Sequence, residues 1–223
     1  MLPQHVAIIP DGNRRWEKSR NLWSGRGHEE GKERFKQIRN HARALGIPFL
    51  TIWAFSTENW KRSTVEVGFI MRLLRDTLAE VECDMHAEKT RFVAIGRRDR
   101  LDKSIVQMIE KIEAETIGYT KFCVCVAIDY GGVDEACRAA ERLRESRQSE
   151  KSLVDFLDTR LSGLPDPELI IRTGREHRMS GFMSLQSEYA EWVFPDVLFP
   201  DFGPVQFDEV LGEFAHRKRN FGK

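Results

Sequence analysis

His5-Val-Ala-Ile-Ile9 reads as a short apolar strand that empties into Pro10-Asp11-Gly12-Asn13-Arg14-Arg15-Trp16. A strand ending in Asp-Gly-Asn and followed by two arginines builds a poor core but a good holder for a phosphorylated ligand. Gly12 permits a tight turn and leaves no side chain between the backbone and a ligand. Asn13 is a good helix N-cap, which would aim the next backbone N–H groups outward at the positive end of a helix. Arg14 and Arg15 add fixed charge, and Asp11 offers a hard oxygen ligand for Mg²⁺. The plain alternative is an ordinary strand-turn-helix whose basic start is solvated.

Working outward, the chain alternates between strand and helix patterns. Helices are predicted over residues 27–45, 64–88, 101–117, 132–147 and 207–217, with a shorter one over 151–161. Strands are predicted over 49–55, 91–96, 121–128 and 168–171. In 64–88, Ile70, Leu73, Leu74, Leu78 and Val81 recur at helical spacing, which suits either core packing or the wall of an apolar tunnel. Strands separated by helices imply a mainly parallel sheet with right-handed crossovers and helices packed on it. No repeat or linker interrupts the 223 residues, so the expectation is a single α/β domain over 1–223.

Composition bounds the function. Lys and Arg total 35, as do Asp and Glu, so the formal net charge is zero and any anion site must be local. The basic Arg217-Lys-Arg219 tail is a weak signal for nucleic acid on a neutral chain. No run reaches the roughly 18–20 apolar residues that span a bilayer. The opening Met-Leu-Pro-Gln-His lacks a signal-peptide pattern. A cytosolic protein is expected, which an oily substrate can still bring to a membrane surface. Cys83, Cys123, Cys125 and Cys137 lack zinc-site spacing, and Cys123 and Cys125 read as small buried hydrophobes.

In a parallel sheet, ligands bind beyond the carboxyl ends of the strands. The polar clusters sit there: Asp11 to Trp16, then Ser56-Thr-Glu-Asn-Trp-Lys-Arg62, then Asp129-Tyr-Gly-Gly132, then Arg172-Thr-Gly-Arg-Glu-His-Arg178. Their convergence on one pocket is a stronger signal than any single motif. Arg172, Arg178 and Ser180 suit bidentate grip of a diphosphate, set against a salt-bridged loop that uses Glu168, Glu176 and Glu188. His177, beside Glu176, or Glu191 could reach a metal whose other ligand is Asp11. His41 and His86 read as surface helix residues, His216 as a helix-end cation, and His5 as the first residue of the strand. His28 opens a helix facing the rim and is ambiguous. The chain lacks the Gly-x-x-x-x-Gly-Lys-Ser/Thr loop, the Asp-Asp-x-x-Asp helix and Gly-x-Ser-x-Gly, which weakens nucleotide triphosphatase, all-helical trans-prenyltransferase and α/β-hydrolase readings.

Residues 5–16, Ala54-Phe-Ser-Thr-Glu-Asn-Trp60 with Arg62, and Tyr130-Gly-Gly132 resemble the signatures of cis-prenyltransferases, the undecaprenyl diphosphate synthase family. So do Arg172-Thr-Gly174, Glu176-His-Arg178, Ser180, Tyr189-Ala-Glu191, Pro200-Asp-Phe202 and Arg217-Lys-Arg-Asn-Phe-Gly222, in order and nearly end to end. The resemblance implies a Mg²⁺-dependent homodimer with a hydrophobic tunnel. Its reaction would add isopentenyl diphosphate to an allylic primer such as farnesyl diphosphate, with new double bonds in cis. Carried over by position, Asp11 is similar to the essential metal-linked aspartate, and Gly12, Asn13 and Arg15, with Arg14 and Trp16 beside them, resemble the allylic diphosphate cradle, with His28 in the same site. Ser56, Glu58, Asn59, Trp60 and Arg62 match the loop closing over the substrates, Asp11 and Asn59 standing as the catalytic pair. Arg172, Arg178 and Ser180 look like the isopentenyl diphosphate site. His177 and Glu191 look like the remaining metal residues, Glu191 acting across the dimer contact. The final proton goes to the departing diphosphate or to a loop residue.

The chain departs from the family pattern at several positions. Arg175 puts a bulky cation in a phosphate loop; Gly181, Leu185 and Asp129 stand where Asn, Trp and Asn are usual. Ser24 stands where a phosphate-binding arginine is common, with Arg26 near enough to substitute. These departures bear on product length and primer. They keep open a short-chain or irregular prenyl diphosphate synthase on the same scaffold, and a non-catalytic partner subunit of an active homologue.

Overall fold

The computed structural model describes residues 1–217, so the closing motif beyond Arg217 lies outside the described residues. β1 (His5–Ile9) is buried along its whole length and pairs in parallel with β2 (Phe49–Ser56) on one side and β5 (Leu169–Arg172) on the other. With β3 (Arg91–Ile95), β4 (Cys123–Tyr130) and β6 (Glu191–Val193) the sheet has six strands in the order β3-β4-β2-β1-β5-β6, all pairs parallel. Strands covered on both faces read as unbroken apolar runs, which is why most were legible in the sequence.

Alternation along β1 divides the core. Val6 and Ile8 face α2 (Arg26–Ala44) and α7 (Pro204–His216), where Ile38, Ala42, Phe207 and Phe214 pack on them. Ala7 and Ile9 face the opposite layer, with Cys125, Tyr130, Phe182 and Met183. Beyond β2, α3 (Thr64–Glu88) and α4 (Lys103–Thr116) cover β3 and β4 through Leu78, Phe92, Ile105, Ile109 and Ile112. α5 (Gly132–Ser146) follows β4 directly. The pattern expected over 151–161 divides into a 3₁₀ turn, Leu153–Phe156, and a single-turn α6 (Asp158–Leu161), because the extended Leu157 separates them. Cys123 and Cys125 are buried thiols, and burial pushes Cys123 up to about 12, consistent with inert packing groups.

His5 is a core residue and more than the start of a strand. Its Nδ1–H donates to the Pro165 carbonyl (2.7 Å), and Nε2 accepts from the Thr51 hydroxyl (2.7 Å), so the neutral ring ties β1 to β2 and to the approach of β5. Burial lowers its pKa from 6.5 to about 4. Between those values the unfolded chain binds a proton that the folded chain refuses, so stability rises with pH. Urea unfolding is therefore expected to show a loss of roughly 3 kcal/mol as pH falls from 7 to about 4, by 1.36 kcal/mol per pKa unit. His5→Gln should flatten that slope above pH 4.5, and an unchanged slope would place the pH dependence elsewhere.

Candidate active site

The carboxyl end of β1 is pinned before it reaches any ligand. Asp11 N–H donates to Ile9 O (2.9 Å), and Asp11 O accepts from Phe199 N–H (3.1 Å) and the Thr173 hydroxyl (2.8 Å). Gly12 turns the chain at φ +112°, and a Cβ there would stand 2.9 Å from Leu198 Cδ2, so the close approach is to protein. Gly174, at φ +86°, lets the loop after β5 lie against Asp11, where a Cβ would meet the Asp11 carbonyl carbon at 2.8 Å. α1 (Asn13–Ser19) begins here with Gly12 in the N-cap position. Asn13 is thus the first helical residue and does not cap; its Nδ2 donates back to Pro10 O (3.1 Å) because the turn precedes it.

Four strand ends open onto a cavity of about 440 Å³ lined by Asp11, Asn13, His28, Ser56, Glu58, Asn59, Arg62, Arg172 and Ser180, with Gly131 and Gly132 at the start of α5. The expected convergence of the rim clusters is therefore a feature of the structure. At its centre, Arg172 is 4% exposed. Its Nη2 donates to Asp11 Oδ2 (3.0 Å), while Nη1 donates to Ser180 Oγ (2.7 Å) and Arg178 O (2.5 Å). Arg15 bridges Asp11 and Glu176, each at 3.4 Å, and Glu176 also holds Arg178 at 2.6 Å. Two carboxylates thus lie among three guanidinium groups, with Asp11 and Arg172 on the cavity wall and Arg15, Glu176 and Arg178 joined to them by ion pairs and the Arg172–Arg178 O bond, an arrangement whose cations match diphosphate oxygens. His28 is held below its ordinary pKa by burial and then by the Arg62 charge, so it presents a neutral ring, and its Nδ1 is buried without a protein partner.

The loop after β2 folds on itself as a 3₁₀ turn, Thr57–Lys61. Asn59 Oδ1 accepts from Ser56 N–H (3.0 Å) in a reciprocal capping box, so Asn59 shapes the loop that carries it. Trp60 packs edge-on against Phe55 at 5.1 Å and donates its indole N–H to Asp129 Oδ1 at 2.9 Å.

Other candidates sit apart from this cavity. The Trp16 indole donates to Asp201 (2.7 Å) and supports the 3₁₀ turn Phe199–Asp201. Arg14 is exposed and lies 3.6 Å from Glu66, which also takes Arg62 at 2.9 Å. His177 meets Phe194 in a tilted ring contact at 5.1 Å and, with Trp192, Asp196 and Arg217, lines a separate cavity at the β6 edge. Glu191 pairs with Arg217 at 2.7 Å. Within one chain, then, His177 and Glu191 are not gathered with Asp11, and no group of three or more His, Cys, Asp or Glu among the described residues forms a metal cage. Arg175 turns away from the phosphate loop to Asp196 (2.5 Å), and Arg26 pairs with Glu29 and Glu30 on its own helix.

Pattern reading missed Glu17. Its buried carboxylate accepts from Gly25 N–H (2.9 Å) and Gly27 N–H (3.0 Å), anchoring the turn that delivers His28. It also missed Gly27 as a packing site, where a Cβ would lie 2.1 Å from Asn13 O. Spacing carries neither signal, since both contacts join α1 to α2 through tertiary packing.

A second, apolar cavity of about 170 Å³ runs from Pro10, Asn13 and His28 between α2, α3 and the sheet to Met85 and Phe92. Pro10, Asn13, His28, Ala54 and Ile70 line both cavities, so polar mouth and apolar interior adjoin across these residues. Across its flank, α2 and α3 are linked by Lys32–Glu80 (2.9 Å), Lys36–Asp84 (3.1 Å) and Arg39 to Asp84 and Glu88 (3.0 Å each). No helix among the described residues is long and apolar enough to cross a membrane.

Residues 9–222 match the family model described as putative undecaprenyl diphosphate synthase. The chain is 40% identical over 225 residues to an isoprenyl transferase of Aquifex aeolicus, covering 100% of this chain and 96% of that one. Its structure is similar to lavandulyl diphosphate synthase from Lavandula x intermedia in complex with dimethylallyl diphosphate (TM-score 0.93, 34% identity, 100% and 99% coverage). It is also similar to a probable undecaprenyl diphosphate synthase from Campylobacter jejuni (TM-score 0.85, 33% identity, the same coverage).

Proposed function

We infer the reaction from one premise: the chain belongs to the undecaprenyl diphosphate synthase family of prenyltransferases. It is a cis-prenyltransferase. We propose that it condenses isopentenyl diphosphate with an allylic diphosphate, farnesyl diphosphate or similar, releasing pyrophosphate. The observation that carries this is the shared lining of the two cavities, which seats a charged head beside Asp11 and Arg172 and a hydrocarbon tail between α2 and α3.

Breaking the allylic C–O bond develops negative charge on the departing diphosphate. Preorganised donors aimed at that charge lower the barrier. In this reading Arg15, Arg62 and the start of α1 face the allylic diphosphate, while Arg172, Arg178 and Ser180 orient the second diphosphate. The apolar cavity excludes water from the forming carbocation. Asp11, whose carboxylate lines the cavity, would hold Mg²⁺ together with substrate phosphate oxygens. When bound, Mg²⁺ would neutralise charge on the leaving group. His177 and Glu191 would join that site only from a second protomer. A homodimer is proposed here on family membership and on the edge position of β6, with its stacked Trp192 and Phe194. Four free thiols suit a cytosolic protein.

A second reading, a short or irregular prenyl diphosphate product, has its own support. The apolar cavity of about 170 Å³ is comparable to the roughly 150 Å³ void that accommodates a benzene ring. The similarity to lavandulyl diphosphate synthase points the same way. The test supplies purified protein with Mg²⁺, isopentenyl diphosphate and dimethylallyl, geranyl or farnesyl diphosphate, and follows pyrophosphate release and product mass. Lengthening of one primer by whole isoprene units is expected. A product made from dimethylallyl diphosphate alone would favour the second reading, and turnover only with an added homologue would favour a partner subunit.

A further inference from the structure

We propose that Asp129 and Arg100 form a clasp that positions the substrate loop through Trp60. Asp129 lies one residue from the end of β4, has no solvent exposure, and adopts φ +49°. The β2–β4 register is irregular beside it: Phe55 pairs with Ile128 and Ser56 with Tyr130, which leaves Asp129 out of the pairing. Its carboxylate accepts from the Trp60 indole N–H (2.9 Å), from Arg100 Nε (2.8 Å) and from Arg100 Nη2. The Arg100 guanidinium also stands 5.9 Å over the Trp60 ring, and Arg97 N–H donates to Asp129 O at 3.2 Å.

Two costs meet at this residue. A buried carboxylate is expensive unless well paired, and a non-glycine residue at positive φ stores strain. A staple between β4 and the segment leading to α4 would need Arg100 alone. The third donor comes from the loop 56–62, which carries Ser56, Glu58, Asn59 and Arg62 to the mouth of the cavity. Neither Asp129 nor Arg100 lines either cavity of the candidate active site, so both act through Trp60. They are positioning residues: the clasp holds the loop's aromatic root while its polar tip meets substrate. The loop's role in substrate contact rests on the prenyl-transfer reading above.

Hydrogen exchange read by mass spectrometry on the protein without substrates separates the two. In Arg100→Gln, amides of residues 56–62 should exchange about tenfold faster, the size of one lost charge-assisted hydrogen bond, while β1 and α2 keep their native rates. In turnover, KM for the allylic diphosphate should rise about tenfold with a smaller change in kcat, as loss of loop positioning predicts. Arg100→Gln with Asp129→Asn should recover most of both effects, because the amide still accepts from Trp60 and Asn tolerates positive φ. Should Arg100→Gln not fold, Trp60→Phe removes only the N–H while keeping a ring on Phe55, and faster exchange of the same amides is expected. Native exchange in the loop would overturn the clasp, as would faster exchange spread equally over β4 and α4. An inactive native protein with a responsive loop would instead sink the functional reading and leave the clasp standing.

Discussion

Asp11→Ala is expected to lower kcat by about three orders of magnitude while leaving the fold intact, the scale seen when charge stabilisation at a reacting centre is lost. The fold depends on the Asp11 backbone, through Ile9, Thr173 and Phe199, and alanine keeps those bonds. Among the described residues its carboxylate pairs with Arg172 and Arg15, and its removal leaves the buried Arg172 guanidinium without an anion, so a lower melting temperature with an intact cooperative transition is expected. Asp11→Asn keeps the shape and one acceptor oxygen but loses the charge, and it should be nearly as slow. Single-turnover pyrophosphate release alongside a thermal melt checks both. Near-native kcat in either variant would remove Asp11 from the chemistry.

Arg172→Met should raise KM for isopentenyl diphosphate by about two orders of magnitude and also lower kcat, since one guanidinium carries several charge-assisted bonds. Met retains most of the aliphatic stem, so the lost function belongs to the guanidinium. Removing a partner from a buried ion pair costs about 3–5 kcal/mol. Here the loss should fall at the lower end, because Asp11 is partly solvated and keeps Arg15. Arg172→Lys should not rescue, because one ammonium cannot reach Asp11, Ser180 and Arg178 O from one planar fork. A substrate titration of both variants decides; an unchanged KM for isopentenyl diphosphate with a raised allylic KM would exchange the two diphosphate assignments.

Much of this architecture was legible from the chain because parallel strands buried on both faces leave long apolar runs, and each run ends in a polar cluster at the same rim. Phe49-Leu-Thr-Ile-Trp-Ala-Phe55 and Cys123-Val-Cys-Val-Ala-Ile128 announce themselves in this way. β6 did not, because three residues, Glu191-Trp-Val193, are too few to show a period. The site was legible where residues reach it directly from strand ends, as Asp11 and Arg172 do. It was illegible where a partner decides the role. Trp16 stands beside the cradle residues in sequence, yet its indole is claimed by Asp201. Arg175 occupies the phosphate loop in sequence, but its positive φ and Asp196 direct it outward. Glu17, Asp129 and His5 matter through contacts with residues distant in the chain, which no local pattern encodes.

The seam between α2 and α3 has a mechanical consequence. Along this flank the helices meet through Lys32, Lys36 and Arg39 reaching toward carboxylates. Parting a solvated lysine–carboxylate contact costs on the order of 0–1 kcal/mol, whereas opening a packed interior costs several. The wall beside the oily chamber can therefore yield like a laced seam, stretching for a longer guest while the sheet behind it stays rigid, with the buried Arg39 as its strongest stitch.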